Sequence, residues 1–154
     1  MTESEPVKSA LNRAMSLCAT HEYCSEDIRI KLASWGIKSP DTDVIIAKLK
    51  KENFINDERF ARSFVSEKYR NYKWGRIKIS SHLHAKRLSA EIISSALETI
   101  DEEEYRNNIR SILASHEKMI RARNKFDLKG KLLRFGLSKG FESNILYEIL
   151  NESG

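Results

Sequence analysis

The same apolar skeleton is written three times along this chain: Ile28, Leu32 and Ile37, then Ile79, Leu83 and Leu88, then Leu128, Leu132 and Leu137, at offsets of 51 and 100 positions. Behind each skeleton a pair of adjacent apolar residues returns one helical turn later: Val44, Ile45, Lys48, Leu49; Ile92, Ile93, Ala96, Leu97; Ile145, Leu146, Ile149, Leu150. A unit of about 50 residues buries too little surface to be comfortable alone, so three in tandem must cover one another's faces. The expected fold is all-α: an elongated, curved tandem array of three three-helix repeats with helix-turn-helix-like units, divided at 1–54, 55–101 and 102–154.

Composition agrees with that reading. Of 154 residues only 2 are Pro and 6 Gly, while 32% are charged and 40% hydrophobic, a mixture poor in turn formers and rich in helix formers. No run approaches the apolar length of a membrane span, and Met1–Ser9 carries acids where a targeting segment would carry bases, so a cytoplasmic location is expected. Cys18 and Cys24, with His21 between them, lack a second ligand pair and are read as reduced packing residues.

Each unit carries its own punctuation. In the first, Val7, Ala10, Leu11, Ala14, Met15 and Cys18 form one helical stripe. Ser25 starts and caps a second helix with Glu26 and Asp27 at its positive end, and Gly36 closes it in the left-handed conformation. Pro40 is placed at the first position of the third helix, followed by Asp41 and Asp43. In the second unit Asn56 caps a helix striped by Phe60, Ala61, Phe64, Val65, Lys68 and Tyr72; Trp74 and Gly75 interrupt it, and Ser89 caps the third helix. Arg87 stands where the other units are read as having Gly36 and Gly136, so this turn is either built differently or holds a non-glycine residue at positive φ. Asp101–Glu104 opens the last unit, whose first helix carries Tyr105, Ile109, Ile112 and Leu113.

The net charge of +5 conceals a segregation. Eight bases and one acid lie between Arg62 and Arg87, eight bases and one acid between Lys118 and Lys139, and six acids with no base between Glu91 and Glu104. Clustered Lys and Arg gain from counterion release and steer association, which points to phosphates or an acidic protein; solvated helix faces are the plainer alternative. Tyr69, Tyr72 and Trp74 interleave the first block, suiting stacked bases or a protein hot spot, with Tyr72 assigned to the core because it continues the stripe. The acidic stretch is accounted for by the start of the next helix. No phosphate-binding loop, nucleophile elbow, HExxH or paired metal-ligand motif is present, and His82 and His84 lie on different sides of a helix. The reading is a binding protein with no catalysis, no cofactor and no metal.

The run Phe54-Ile-Asn-Asp-Glu-Arg-Phe-Ala-Arg-Ser-Phe-Val65, followed by Gly75, Ile79, Leu83 and Lys86, resembles RecX, the family of small regulatory proteins that act on the RecA recombinase. The resemblance extends from about Ala10 to Leu150 and departs at Arg87, where the family often has glycine. It implies three three-helix repeats and binding in the groove of RecA filaments on single-stranded DNA, with inhibition of ATP hydrolysis, strand exchange and coprotease function. DNA repair, recombination and the SOS response are the implied setting, and the chain is taken as a monomer. Contacts with RecA or DNA are assigned to Lys68, Arg70, Lys73, Arg76, Lys78, Lys86, Arg87, Arg121, Arg123, Lys129 and Lys131. The alternatives are a direct DNA-binding helical protein and an adaptor for an unrelated acidic protein.

Overall fold

The computed structural model describes residues 4–152, and among them the regular structure is entirely helical. Nine helices follow in order: α1 (Glu5–Thr20), α2 (Ser25–Ser34), α3 (Asp41–Lys51), α4 (Asp57–Arg70), α5 (Arg76–Ala85), α6 (Ala90–Leu97), α7 (Glu102–Glu117), α8 (Lys125–Ser138) and α9 (Ser143–Asn151). The helix pairs in extensive contact all fall within the triads α1–α3, α4–α6 and α7–α9, so the chain is an all-α helical repeat protein. The buried residues nevertheless form two cores rather than three. Val7, Ala10, Ala14, Ile28, Leu32, Ile45, Ile46 and Leu49 close the first triad, with Ile55 added from the connection to α4. A second cluster runs without a break through α4–α9, from Phe60, Val65, Ile79 and Leu83 to Ile109, Leu132, Phe141 and Leu146.

Capping follows the sequence at Asn56 and Ser89, gains Asp101 at the opening of the last triad, and departs from the sequence at two helices. Asn56, Ser89 and Asp101 accept the backbone N–H groups of Arg59, Ile92 and Glu104 through their side chains, at 3.0, 3.2 and 2.9 Å. Ser25 is the first residue of α2, not its cap: Cys24 occupies that position, its N–H donating to Asp27 at 3.3 Å. The Ser25 hydroxyl instead reaches into the next triad. Pro40 precedes α3 as its cap after a cis bond from Ser39, and the helix proper starts at Asp41.

The repeat register also needs correction in the last unit. Each second helix ends in a six-residue hydrogen-bonded turn, Ile37 N–H to Leu32, Leu88 N–H to Leu83 and Phe141 N–H to Gly136, with a left-handed residue just before the donor. Those residues are Gly36 (φ 83°), Arg87 (φ 60°) and Gly140 (φ 91°), so Arg87 takes the positive-φ alternative. Gly136 lies inside α8, and the third skeleton reads Leu132, Gly136, Phe141, one turn beyond the Leu128, Leu132, Leu137 of the pattern. Leu137 is 45% exposed, whereas Phe141 is 2% exposed. The slip arises because α8 has 14 residues where α2 and α5 have 10, and because glycine stands at the skeleton position held elsewhere by leucine. The space its side chain would fill belongs to Leu146, whose Cδ2 lies 2.5 Å from where a Cβ at Gly136 would sit.

Candidate functional site

The end of α4, the connection 71–75, the start of α5 and the turn after α8 meet at one basic, aromatic surface. Lys68 on α4 is held with its Nζ 4.3 Å from the ring centre of Tyr72, 5.1 Å from Trp74 and 5.4 Å from Phe64. From α5, Lys78 places its Nζ 4.6 Å from the same Trp74 ring, and the His82 ring also lies 4.6 Å from Trp74. Lys139 arrives from α8, 67 residues away, and donates to the Tyr72 carbonyl at 3.0 Å. Its ammonium is pushed below the usual lysine range, first by burial and then by the charge of Lys78. Two ammonium groups thus face the Trp74 ring while a third is held on the Tyr72 backbone, and the attraction of a cation to a ring face partly offsets the repulsion among them.

At the edge of this cluster Lys73 takes the left-handed conformation with φ 58°, which an L-residue adopts at a cost. Lys73 and Arg70 are exposed and have no partner among the described residues. Tyr72, assigned to the core by its stripe, is 51% exposed; the stripe ends at Tyr69, which is 7% exposed. The helix stops at Arg70, so the 3.6-residue period no longer governs where residue 72 points. Tyr69 donates to Glu104 at 3.0 Å and accepts from Asn108 at 2.8 Å, and burial followed by the Glu104 hydrogen bond pushes its phenol up to about 12.

Two further candidates of this block are engaged in holding triads together. Arg76 pairs with Glu142 at 2.9 Å and with Glu102, its guanidinium 4.1 Å from the Tyr105 ring centre. Lys86 pairs with Asp27 at 2.7 Å. Arg87 is largely free, its nearest carboxylate being Glu26 at 3.9 Å.

The second basic block surrounds the connection from α7 to α8. Asp127 sits at its centre, accepting the Arg123 N–H at 3.1 Å and lying 3.6 Å from the Arg123 guanidinium and 3.4 Å from Lys131. These partners, the Arg123 N–H foremost, hold its carboxyl below the usual range. Lys131 also donates to the Arg121 carbonyl at 2.6 Å, and Lys129 lies 3.5 Å from Asn151. Met119 and Phe126 stand out from this tip at 81% and 88% exposure. The sequence reading did not select Lys139, His82, Met119 or Phe126. Phe126 and Met119 were legible as apolar residues inside a basic run, whereas nothing local marks Lys139 as a neighbour of Tyr72.

Among the described residues no group of side chains has the make-up of a metal site, and no helix is long and apolar enough to cross a membrane. Cys24 is buried, its thiol pushed up to about 12 mainly by burial, and Cys18 is half-buried.

These features define a tandem three-helix repeat protein with basic, aromatic-lined surfaces. Residues 56–97 match the family described as RecX, second three-helix domain. The chain is 30% identical over 119 residues to the regulatory protein RecX of Clostridium perfringens, a match covering 76% of this chain and 55% of that protein. It is 27% identical to the regulatory protein RecX of Prosthecochloris aestuarii over 99% of this chain and 97% of that one. The crystal structure of RecX from Lactobacillus salivarius superposes with a TM-score of 0.82 at 23% identity, covering 96% of both chains. The chain is thus similar along its length to regulatory proteins named RecX and shares the all-α repeat fold of a solved RecX structure.

Proposed function

We propose that this chain is a non-catalytic regulator of the RecA recombinase that binds RecA and its filaments on single-stranded DNA, and so inhibits ATP hydrolysis, strand exchange and coprotease activity. DNA repair, recombination and the SOS response are the processes this would modulate. The observation that carries the reading is the surface around Trp74, where Lys68, Lys73, Lys78 and Lys139 frame exposed aromatic area of the kind that anchors a protein or a base. Arg70 extends this surface; Arg121, Arg123, Lys129 and Lys131 supply a second contact, while Arg76 and Lys86 brace the scaffold between them. With the division at 1–54, 55–101 and 102–154, each unit contributes a weak contact. Once one has docked, the others bind at high effective concentration.

The test is RecA-dependent ATP hydrolysis on single-stranded DNA, titrated with this protein below one copy per recombinase, beside binding to the same DNA alone. Inhibition at low ratio with weak bare-DNA binding is expected. Reversing Arg70 and Lys73 to Glu, both free of partners, should weaken inhibition and flatten its salt dependence. Tight binding to bare DNA without inhibition would instead establish the direct DNA-binding alternative.

A further inference from the structure

We propose that the cleft between the first and second triads is a phosphate-binding site whose principal ligands are Arg87 and Lys50. At two places the N-terminus of a second helix meets the turn between the second and third helices of the following triad. Where α5 meets the turn after α8, both sides are glycine: Gly75 N–H donates to the Lys139 carbonyl at 2.7 Å, and a Cβ on Gly75 would sit 2.3 Å from the Gly140 carbonyl carbon. Where α2 meets the turn after α5, the same positions hold Cys24 and Arg87. Here the joint leaves a cleft of about 480 Å³, lined by the cations Arg29, Lys50, Lys86 and Arg87 against the carboxylates of Glu26 and Asp57.

Arg87 is kept in a backbone conformation that the equivalent Gly36 and Gly140 adopt without strain. Strain of this kind persists where a side chain is needed for something other than the turn. Its side chain is 79% exposed and its nearest carboxylate, Glu26 at 3.9 Å, is beyond hydrogen-bond reach. Lys50 has no partner among the described residues. Of the two acids in the cleft, Asp57 is satisfied by the N–H and hydroxyl of Ser25, both at 2.8 Å. Glu26 touches Arg29 only at 4.0 Å, so a phosphate can take Arg87 from it at little cost. A guanidinium fork and an ammonium facing one cleft suit the oxygens of a phosphate group. The site shares no lining residue with the Trp74 surface on which the recombinase reading rests.

The experiment is calorimetric titration of the full chain with pyrophosphate and, in parallel, with a short thymidine oligonucleotide. In the R87G variant affinity should fall tenfold or more, as expected for loss of a charge-assisted pair, while the unfolding midpoint stays level or rises because glycine relieves the left-handed turn. K50A should also weaken binding, and R134A, which removes an equal charge in the last triad, should not. Arg87-dependent binding of pyrophosphate identifies a free polyphosphate ligand; Arg87-dependent binding of the oligonucleotide alone identifies a phosphodiester backbone. Absence of binding to both, equal affinity in R87G, or an equal loss in R134A would each overturn the site.

Discussion

At both joints of this molecule a helix N-terminus is pressed against the closing turn of the next triad, but the chemistry of the two contacts is opposite. Between the second and third triads the backbones touch through Gly75 and Gly140, and the apolar core passes straight across, with the Tyr105 ring 6.1 Å from both Tyr69 and Phe141. The Tyr105 hydroxyl accepts the Arg76 N–H at 3.0 Å and donates to Glu142, so the polar groups at this joint are satisfied where they are buried. Between the first and second triads side chains make the contact: Lys86 with Asp27, Arg59 with Glu22 at 2.9 Å, and Ser25 with Asp57. Only Cys24 from the first triad enters the second core. An apolar joint makes two triads one cooperative body. A half-exposed ionic joint leaves its two sides separable, because surface pairs are individually weak and screened by salt.

The largest effects are expected from cutting one leucine out of each core at equivalent skeleton positions. Leu32→Ala and Leu83→Ala each remove a fully buried side chain and should cost about 2–5 kcal/mol. Hydrogen exchange should show Leu32→Ala releasing α1–α3 alone, whereas Leu83→Ala should weaken α4–α9 together. If Leu83→Ala loosened α4–α6 and left α7–α9 protected, the single second core would be refuted.

Next in size, Gly75→Ala inserts a Cβ into the Gly140 backbone and should cost roughly 1–3 kcal/mol by denaturant unfolding, because neither side can yield without moving main chain. The same substitution at Gly36 meets no atom within 4 Å and should show only the strain of positive φ.

Alkali probes both joints together. The fold holds the Cys24 thiol and the Tyr69 phenol protonated up to about pH 12, while the unfolded chain releases those protons at their ordinary, lower values. The contribution of these two groups to stability is therefore flat below about pH 9 and falls as pH rises toward 12, since only the unfolded state gains from losing the protons there. Thermal unfolding across that window should show the decline, and Tyr69→Phe should reduce it.

The smallest effect is expected at the ionic joint. Lys86→Met, which keeps the packing over Phe60 and loses the pair with Asp27, should cost about 1 kcal/mol or less. It should also abolish part of the salt sensitivity of exchange in α2, with no change in α8. An equal change in both helices would show that the joints are not electrostatically distinct.

Much of this was written in the chain. The first two skeletons, Ile28, Leu32, Ile37 and Ile79, Leu83, Leu88, are all buried and in register, because their helices have equal length and end in the same turn. The caps Asn56 and Ser89 were equally legible, since a cap acts within three residues of itself. The third skeleton was misread by one turn because Leu128, Leu132 and Leu137 satisfy the same spacing as Leu132, Gly136 and Phe141; a glycine filled by a neighbour's leucine leaves no hydrophobic mark. The basic surface was visible as a block of charge, but its members were not sorted. Arg76 and Lys86 look in sequence just like Arg70 and Lys73, and only their distance to Glu142 and Asp27 separates bracing from free cations.

The helices, their tandem order and the segregation of charge are thus local properties of the chain, set by neighbours a few residues away. Packing sets the rest: that three units share two cores, that Lys139 joins Tyr72, and that Arg87 faces a cleft where Gly140 meets backbone. Each of these depends on contacts between residues tens of positions apart, and whether a joint closes turns on the presence or absence of a single Cβ, which no local periodicity records.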